Sequence, residues 1–481
     1  MSQFIFYLAT YQQVIELLAV AVTVLILLSS LDDLFVDAWY WSYSFYRWFW
    51  ARAIYPRLTA EQLDARPEQP IALMVPAWHE SEVIGAMLAA SNRLIRYSNY
   101  RIFVGVYQND PDTIAEVRAA MERFPNVQMS VVPRDGPTNK ADCLNVVLGD
   151  IFAYERSQNT RFAGVALHDS EDVIHPYELK LFNHLLGRMD LIQLPVYSFP
   201  RGIEELVAGT YMDEFAEWHS KDLVVRESMT GVVPCAGVSA CFSRRAIDAL
   251  RAERAGEVFS TTSLTEDYDI AFRLAAMGMR EIFVKFPIGI TVDQRGHAGA
   301  ARGRLEWLPV ATREYFPSDF RAAYRQRARW LLGIAFQGWS QHGWEGSLGH
   351  KYFLLRDRKG LITAPAAIIA YYVMLNFLAL NIVFSLVPPT DRPPFLLLNA
   401  DAYAVLLMTN LVLLGNRLLQ RSIFTARLYG PLQGMMAGPR MVVSNLLNFF
   451  ALARAISVFA RHKLTGAPIV WDKTTHSYPT G

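Results

Sequence analysis

Apolar positions along the chain fall into runs of different length and period, and each kind predicts a different element. From Val14 to Leu31 the sequence VIELLAVAVTVLILLSSL is apolar with a single charge near its start, close to the ~20 residues that cross ~30 Å of hydrocarbon. It predicts a membrane helix. A cleaved signal peptide is the alternative, but no basic stretch precedes the run and no small-residue cleavage site is evident. Leu361 to Val387 and Pro394 to Leu414 repeat the pattern near the other end, separated by the turn-like PPTDRPP. A fourth run, Met441 to Ala460, carries Asn445, Asn448 and Arg454, which are costly at a bilayer centre. It reads as either a span or a helix lying in the interface.

Between these ends the period changes. IALMVP is followed by helical SEVIGAMLAASNRLIRY, RIFVGVY by TIAEVRAAMERF, and then comes VQMSVVP. Short strands separated by helical patterns of roughly ten to fifteen residues argue for βαβ units and a largely parallel sheet. In such sheets ligands bind beyond the carboxyl ends of the strands. The polar clusters PAWHE (Pro76 to Glu80), QNDPDT (Gln108 to Thr113) and HDSED (His168 to Asp172) all follow strand-like runs, so the fold rule gathers them at one cleft.

Composition restricts what that cleft can serve. Of 481 residues 52% are hydrophobic and 13% aromatic, more than an ordinary soluble enzyme carries, and 46 basic residues balance 45 acidic ones. No nucleic-acid partner follows from that charge. Cys143, Cys235 and Cys241 lack the paired spacing of a zinc site or a disulfide framework. Arg47 and Arg52, within the aromatic WYWSYSFYRWFWARAIY, and Arg57 just after it follow the first apolar run, and Arg417, Arg421 and Arg427 follow the third, whereas the first dozen residues contain no Lys or Arg. Basic residues concentrate on the cytosolic side of membrane helices, which places the middle of the chain in the cytosol. The tail with Arg461, Lys463 and Lys473 is cytosolic too if the fourth run stays in the interface.

The expected order is a membrane helix over 1–38, an interfacial segment over 39–68 and a cytosolic domain over 69–318. Interface helices over 319–360, two membrane helices and a basic loop over 361–440, and a last helix with its tail over 441–481 complete it.

Neither GxGxxG after the first strand nor GxxxxGK[ST] occurs, so phosphate must be held another way. Mg²⁺ or Mn²⁺ needs only one or two carboxylates when substrate oxygens and water complete the shell. Asp169 and Glu171 are candidate ligands, with Asp172 a further one; a solvated acidic turn is the alternative. His168 and His175 read as structural, because a hard ion prefers oxygen. Val232 to Ile247 reads as a small-residue loop running into a helix start, suited to close backbone approach. Thr265, Glu266 and Asp267 open an amphipathic helix, where acids are also favoured by capping and dipole. Gln326, Arg327, Arg329 and Trp330 share one helical stretch before the second apolar run. Guanidinium groups suit phosphate oxygens and an indole face suits a sugar; a basic interfacial helix is the alternative.

In order and approximate spacing, PAWHE, NKADCLN (Asn139 to Asn145), HDSED, TED and QRARW resemble the inverting, membrane-embedded family 2 glycosyltransferases, over about Ile71 to Leu332. VGVYQNDPDT, FPSDFRAAYRQRARWLLG and the tail WDKTTHSYP are more closely similar to the glycosyltransferase portion of inner-membrane bacteriophage-adsorption proteins of the NfrB type. The metal motif departs from the family's Asp-x-Asp as Asp-Ser-Glu, and Asn109-Asp110 replaces an acidic pair.

The resemblance implies an α/β fold of GT-A type, a mixed-sheet domain inserted between transmembrane helices. It implies Asp267 as general base with Glu266 beside it, Asp169 and Glu171 on Mg²⁺ or Mn²⁺, and Arg329 on the departing diphosphate. Pro76, Glu80, Asp110 and Lys140 would contact the nucleotide, while Gln326 and Trp330 position the acceptor. The activity so implied draws on a UDP-sugar, with an N-acetylhexosamine favoured, to extend an exopolysaccharide at the bacterial inner membrane. A growing glycan or lipid-linked acceptor, membrane lipids and a periplasmic or outer-membrane export partner would be its partners. Single transfer to a polyprenyl phosphate, or an idle sugar-nucleotide-binding scaffold, are the rival readings.

Overall fold

The computed structural model describes residues 2–51, 54, 58–254, 256–292, 304–389, 392–395, 397, 401–466 and 477–479. Arg52, Arg57, Lys473 and most of the WDKTTHSYP tail lie outside the described residues. The first apolar run is the middle of one long helix, α1 (Ser2–Tyr46), which passes into a π-helical turn at Arg47–Ala51. The aromatic segment expected at the headgroups thus largely continues the helix. A short α2 (Ala60–Asp64) follows, closed at its start by a capping box between Thr59 and Gln62.

The period-2 and helical runs then form the expected βαβ units. β1 (Ile71–Pro76), α3 (Ile84–Leu94), β2 (Tyr100–Tyr107), α4 (Pro111–Arg123) and β3 (Val127–Val132) come first, followed by α5 (Lys140–Gln158) and β4 (Gly164–Leu167). After α6 (Glu178–Leu185), β5 (Leu191–Gln193) and β6 (Val196–Ser198), the chain turns through α7 (Leu206–Glu217) and α8 (Leu223–Thr230). It re-enters the sheet as β7 (Ala240–Ser243), and α9 (Arg244–Glu253), α10 (Glu266–Ala276) and β8 (Glu281–Phe283) follow. Two small pairings complete the domain: β9 (Pro287–Val292) with β10 (Arg304–Pro309), and β11 (Thr312–Glu314) with β6.

The seven-stranded sheet has the order β3-β2-β1-β4-β7-β5-β8. It is mixed because β7 runs antiparallel to both β4 and β5 while the other pairings are parallel. The helix expected directly after the small-residue loop is therefore preceded by a strand. ACFS buries all four residues between two neighbours, and Ser243 ends it by capping α9 through the Ala246 N–H. On β1, Ile71, Leu73 and Val75 join one apolar core while Ala72 and Met74 join the other, against α5 and α10. Burial on both faces explains why the strand is continuously apolar. Truncating Leu73 to alanine would cost ~2–5 kcal/mol.

Beyond the sheet come α11 (Phe320–Leu331), α12 (Gly338–His342), α13 (Leu348–Arg358), α14 (Gly360–Leu386), α15 (Asp401–Tyr429) and α16 (Pro431–Thr465). Among the described residues four helices, α1 with its π turn, α14, α15 and α16, are long and apolar enough to cross a membrane. α14 matches its run. α15 is described from Asp401, and residues 396 and 398–400 of the expected third run lie outside the described residues. Before it, Gln12 donates to the Pro394 carbonyl at 3.1 Å and the Leu397 N–H donates to Glu16 at 2.7 Å. Those bonds give the polar residues of α1 partners. The arginines expected after the third run lie within α15.

The fourth run is the centre of α16. Asn445 donates to the Tyr371 hydroxyl at 2.7 Å, and Asn448 accepts from Arg327 at 2.8 Å. Polar groups satisfied by neighbouring helices remove much of the cost that favoured an interfacial position.

Candidate active site

Three loops at the carboxyl ends of β1, β2 and β3 are stitched together first. Trp78 packs edge-on to Tyr107 at 5.0 Å, and a Cβ at Gly136 would come within 2.5 Å of the indole. His79, at φ 54°, turns its N–H to Asp110 at 2.6 Å, and Glu80 donates its N–H to Thr113 at 3.0 Å. Asp110 also caps α4 at the Thr113 N–H, so the carboxylate expected on the nucleotide ties PAWHE, which begins at Pro76, to the next loop. Asn109 exchanges two hydrogen bonds with Gly136, at 2.8 and 2.9 Å.

That third loop delivers Lys140, the first residue of α5, behind the Asn139 cap. Its Nζ lies 2.5 Å from Asp169 Oδ1 and donates to the Gly237 carbonyl at 3.3 Å. Gly237 has φ +77°, and a Cβ there would stand 2.5 Å from Asp267 Oδ2. The position requires glycine twice over, for its backbone and for the approach of Asp267. Asp169, at the end of β4, and Asp267, at the start of α10, therefore meet around one ammonium group.

Glu171, Glu266 and Glu314 add further carboxyl groups to the same pocket. Burial, and after it the neighbouring Asp267, push Glu266 up to about 8. Asp267 is raised by burial and by Asp169, with Lys140 opposing. Glu314, at the end of β11, is raised well above the carboxylate range by burial and then by Asp172, Glu171 and Asp169. Against burial, which disfavours its charge, Asp169, Glu266 and Asp267 hold Lys140 above the ordinary lysine value. Carboxyl groups pushed towards their protonated form by burial and by one another release that proton when a cation comes among them, so the pocket suits a further cation.

The oxygen-only donor set suits Mg²⁺ or Mn²⁺. Among the described residues no three His, Cys, Asp or Glu are grouped as a ready ligand set, so substrate oxygens and water would complete any shell on Asp169 and Glu171. Asp172 is not part of it. Buried, it accepts the Asp169 N–H and faces His168 Nδ1, each at 3.0 Å, and so shapes the loop. His168 bridges Asp172 and Glu178, the latter at 2.9 Å. Against burial, Glu178 and Asp172 raise it to about 10. Burial, and then Arg313 and Arg96, lower His175 to about 3. Both histidines are structural.

The acceptor-side residues lie on α11. The buried Gln326 Oε1 has no partner among the described residues, and Trp330 meets Tyr211 and Phe215 at 6.2 and 6.1 Å. Arg329 is half-exposed beside them. Arg327 is committed elsewhere: it donates to Glu214, Asn448 and Thr210 at 2.8–2.9 Å and ties α11 to α7 and α16. One turn past QRARW, a Cβ at Gly333 would clash with Thr265, and Gln337 accepts the Leu264 N–H at 2.9 Å. The helix of QRARW thus abuts the TED turn. Gly237 lies in the small-residue loop read as suited to close approach, whereas Glu314 and Gly333 were not singled out, since their roles depend on approaches between distant segments.

Residues 164–386 match the family model described as glycosyl transferase family group 2. Over 476 residues the chain is 45% identical to bacteriophage adsorption protein B of Escherichia coli K12, covering 98% of this chain and 63% of that one. Bacteriophage N4 adsorption protein B of Escherichia coli O157:H7 matches with the same identity and coverage. The chain thus spans 63% of the length of these curated relatives.

Among solved structures, a mannosyltransferase from Pyrobaculum calidifontis in complex with GDP-Man and Mn²⁺ aligns with a TM-score of 0.48 and 16% identity, covering 90% of this chain and 99% of that one. Glucosyl-3-phosphoglycerate synthase from Mycobacterium tuberculosis gives 0.26 and 18%, covering 40% and 63%. Scores this low transfer nothing to this chain. From β4 to the end of α14 the chain matches the model of glycosyl transferase family group 2, within a sequence similar almost throughout to the bacteriophage adsorption proteins.

Proposed function

We propose that the chain is an inverting glycosyltransferase that uses a UDP-sugar, with an N-acetylhexosamine favoured, to extend an exopolysaccharide at the bacterial inner membrane, its sheet domain facing the cytosol. The observation that carries this reading is the meeting of Asp169 and Asp267 at Lys140. A base for an alcohol needs appreciable proton affinity, and burial beside other carboxylates raises that of Asp267. Asp267 takes the proton of the acceptor hydroxyl as its oxygen bonds to the anomeric carbon. The bond from that carbon to the diphosphate breaks and its electron pair leaves with UDP; one displacement inverts the centre. Lys140 and Arg329 bring positive charge to the departing diphosphate. Held by Asp169 and Glu171, Mg²⁺ or Mn²⁺ would supply Lewis-acid neutralisation of the same charge.

Gln326 offers its unpartnered carbonyl to an acceptor hydroxyl, and Trp330, fixed by Tyr211 and Phe215, presents its ring to the terminal sugar. Pro76 and Glu80 border the nucleotide, while Asp110 acts on it through the turn at His79. A growing glycan or lipid-linked acceptor, membrane lipids and an export partner complete the reading. Purified chain with Mn²⁺ or Mg²⁺ and a panel of UDP-sugars should release UDP from one of them. No release from any donor overturns the proposal, and a lipid-linked monosaccharide in place of a polymer overturns its polymerising part.

A further inference from the structure

A general base works only when its carboxylate is aimed within a fraction of an ångström of the proton it removes. Asp267 lies in the first turn of α10, so its aim follows the pitch and roll of that helix. Ile270 and Leu274 bury one side of α10 in the sheet core, and Asp269 pairs with Arg273 further along. The turn that holds Asp267 has a separate fastening. The Tyr268 hydroxyl donates to Asp357 Oδ2 at 2.5 Å, and Arg226 of α8 grips the same carboxylate with two parallel bonds of 2.9 and 3.0 Å. Tyr268 is 5% exposed, and the Arg226 and Asp357 side chains are 3% and 4% exposed. The fork already neutralises Asp357, so the tyrosine bond is not needed for that. Its geometric effect is to join α10 to α13.

α13 is itself fastened to the membrane-capable helices. Arg356 pairs with Asp32 of α1 at 2.5 Å, and Lys359 pairs with Asp32 and Asp33 at 2.8 and 2.9 Å before the chain enters α14. Gly338 completes the seat, since a Cβ there would press on the Tyr268 ring at 3.3 Å.

We propose that Tyr268 and Asp357 are positioning residues for Asp267: their bond transmits the seating of α13 on α1 to the first turn of α10, and so aligns the base with the acceptor. The inference rests on the reading of Asp267 as base and adds to it a determinant of turnover, Asp357, that lies 89 residues from Tyr268 in sequence.

The test uses the full-length chain with Mn²⁺ and the UDP-sugar that gives the greatest UDP release, with kcat counted per site that binds UDP, so that misfolded protein does not count. Tyr268→Phe, which keeps the ring and removes one oxygen, should lower kcat about tenfold with KM for the UDP-sugar unchanged. Asp357→Asn, which also loosens the Arg226 fork, should lower kcat at least as much, and the double variant should be no slower than the slower single one, because both changes act on the Tyr268–Asp357 bond. An unchanged kcat for Tyr268→Phe, a matching rise in KM, or additive losses overturn the inference. If Asp357→Asn fails to fold, Tyr268→Phe alone decides. Asp267→Asn runs alongside: inactive Asp267→Asn with fully active Tyr268→Phe defeats this inference alone. Full activity of Asp267→Asn, or no UDP release from any donor, defeats the base reading and this one with it.

Discussion

Two buried charge clusters in this chain are built on opposite plans. At the junction between α1 and the sheet domain, Asp32, Asp33, Asp37, Glu217 and Asp222 face Lys221, Arg356, Lys359, Arg417 and Arg421. Glu217 is met by Lys221 at 2.7 Å, Arg417 at 2.5 Å and Arg421 at 3.2 Å, Asp222 by Arg356 at 3.1 Å, and Asp37 by Lys221. Around Lys140, by contrast, Asp169, Glu171, Glu266, Asp267 and Glu314 crowd one ammonium group, and the proton affinities of Glu266, Asp267 and Glu314 rise accordingly. A charge-balanced cluster is a joint that holds helices in register. An unbalanced one is kept under electrostatic tension, which a cation or an incoming proton relieves, and perturbed groups of that kind gather where chemistry is done.

The contrast is open to test at both ends. Asp267→Asn removes one of the crowded charges and should lower kcat by about 10²–10⁴-fold while UDP binding and the thermal midpoint hold or improve; a fall in midpoint without loss of turnover would erase the distinction. Lys221→Met at the junction should do the reverse. It leaves Asp37 and Glu217 buried with one fewer partner, at ~3–5 kcal/mol of stability, read as a lower thermal midpoint, with kcat per folded molecule retained. Gly237→Ala should be milder, costing ~1–3 kcal/mol of backbone strain and displacing Asp267, so that kcat falls and KM for the donor changes little.

The smallest effect concerns the support of the Gly237 loop. Glu281 accepts the Val233 N–H at 2.6 Å, and burial pushes it up to about 8. A carboxyl group with a higher pKa folded than unfolded binds more protons when folded between those values, so its stabilising effect is present at low pH and is lost as pH climbs towards 8. Glu281→Gln should flatten that fall, and urea denaturation at pH 5 and pH 8 measures it; an unaltered slope counts against a buried, protonating Glu281.

Much of this was legible in the sequence. HDSED and TED, which the structure brings together at Lys140, stood out because acids rarely cluster in so apolar a chain, and the βαβ units because a strand buried on both faces must be apolar throughout. β7 escaped notice because four residues carry no period. Asn445 and Asn448 looked expensive only while their partners on α14 and α11 were unseen. Glu314 and the pairing of Tyr268 with Asp357 join segments far apart in sequence, where no spacing rule reaches.

The length of α1 carries one more consequence. Its 45 residues rise ~68 Å, about twice the ~30 Å of hydrocarbon. A membrane-crossing α1 is therefore a mast as well as an anchor, and Asp32, Asp33 and Asp37, on its upper half, are the cleats to which the end of α13 and the turn at Lys221 are lashed. Standoff from the lipid is set by counting residues along one rod, and one extra turn would raise the deck by ~5.4 Å.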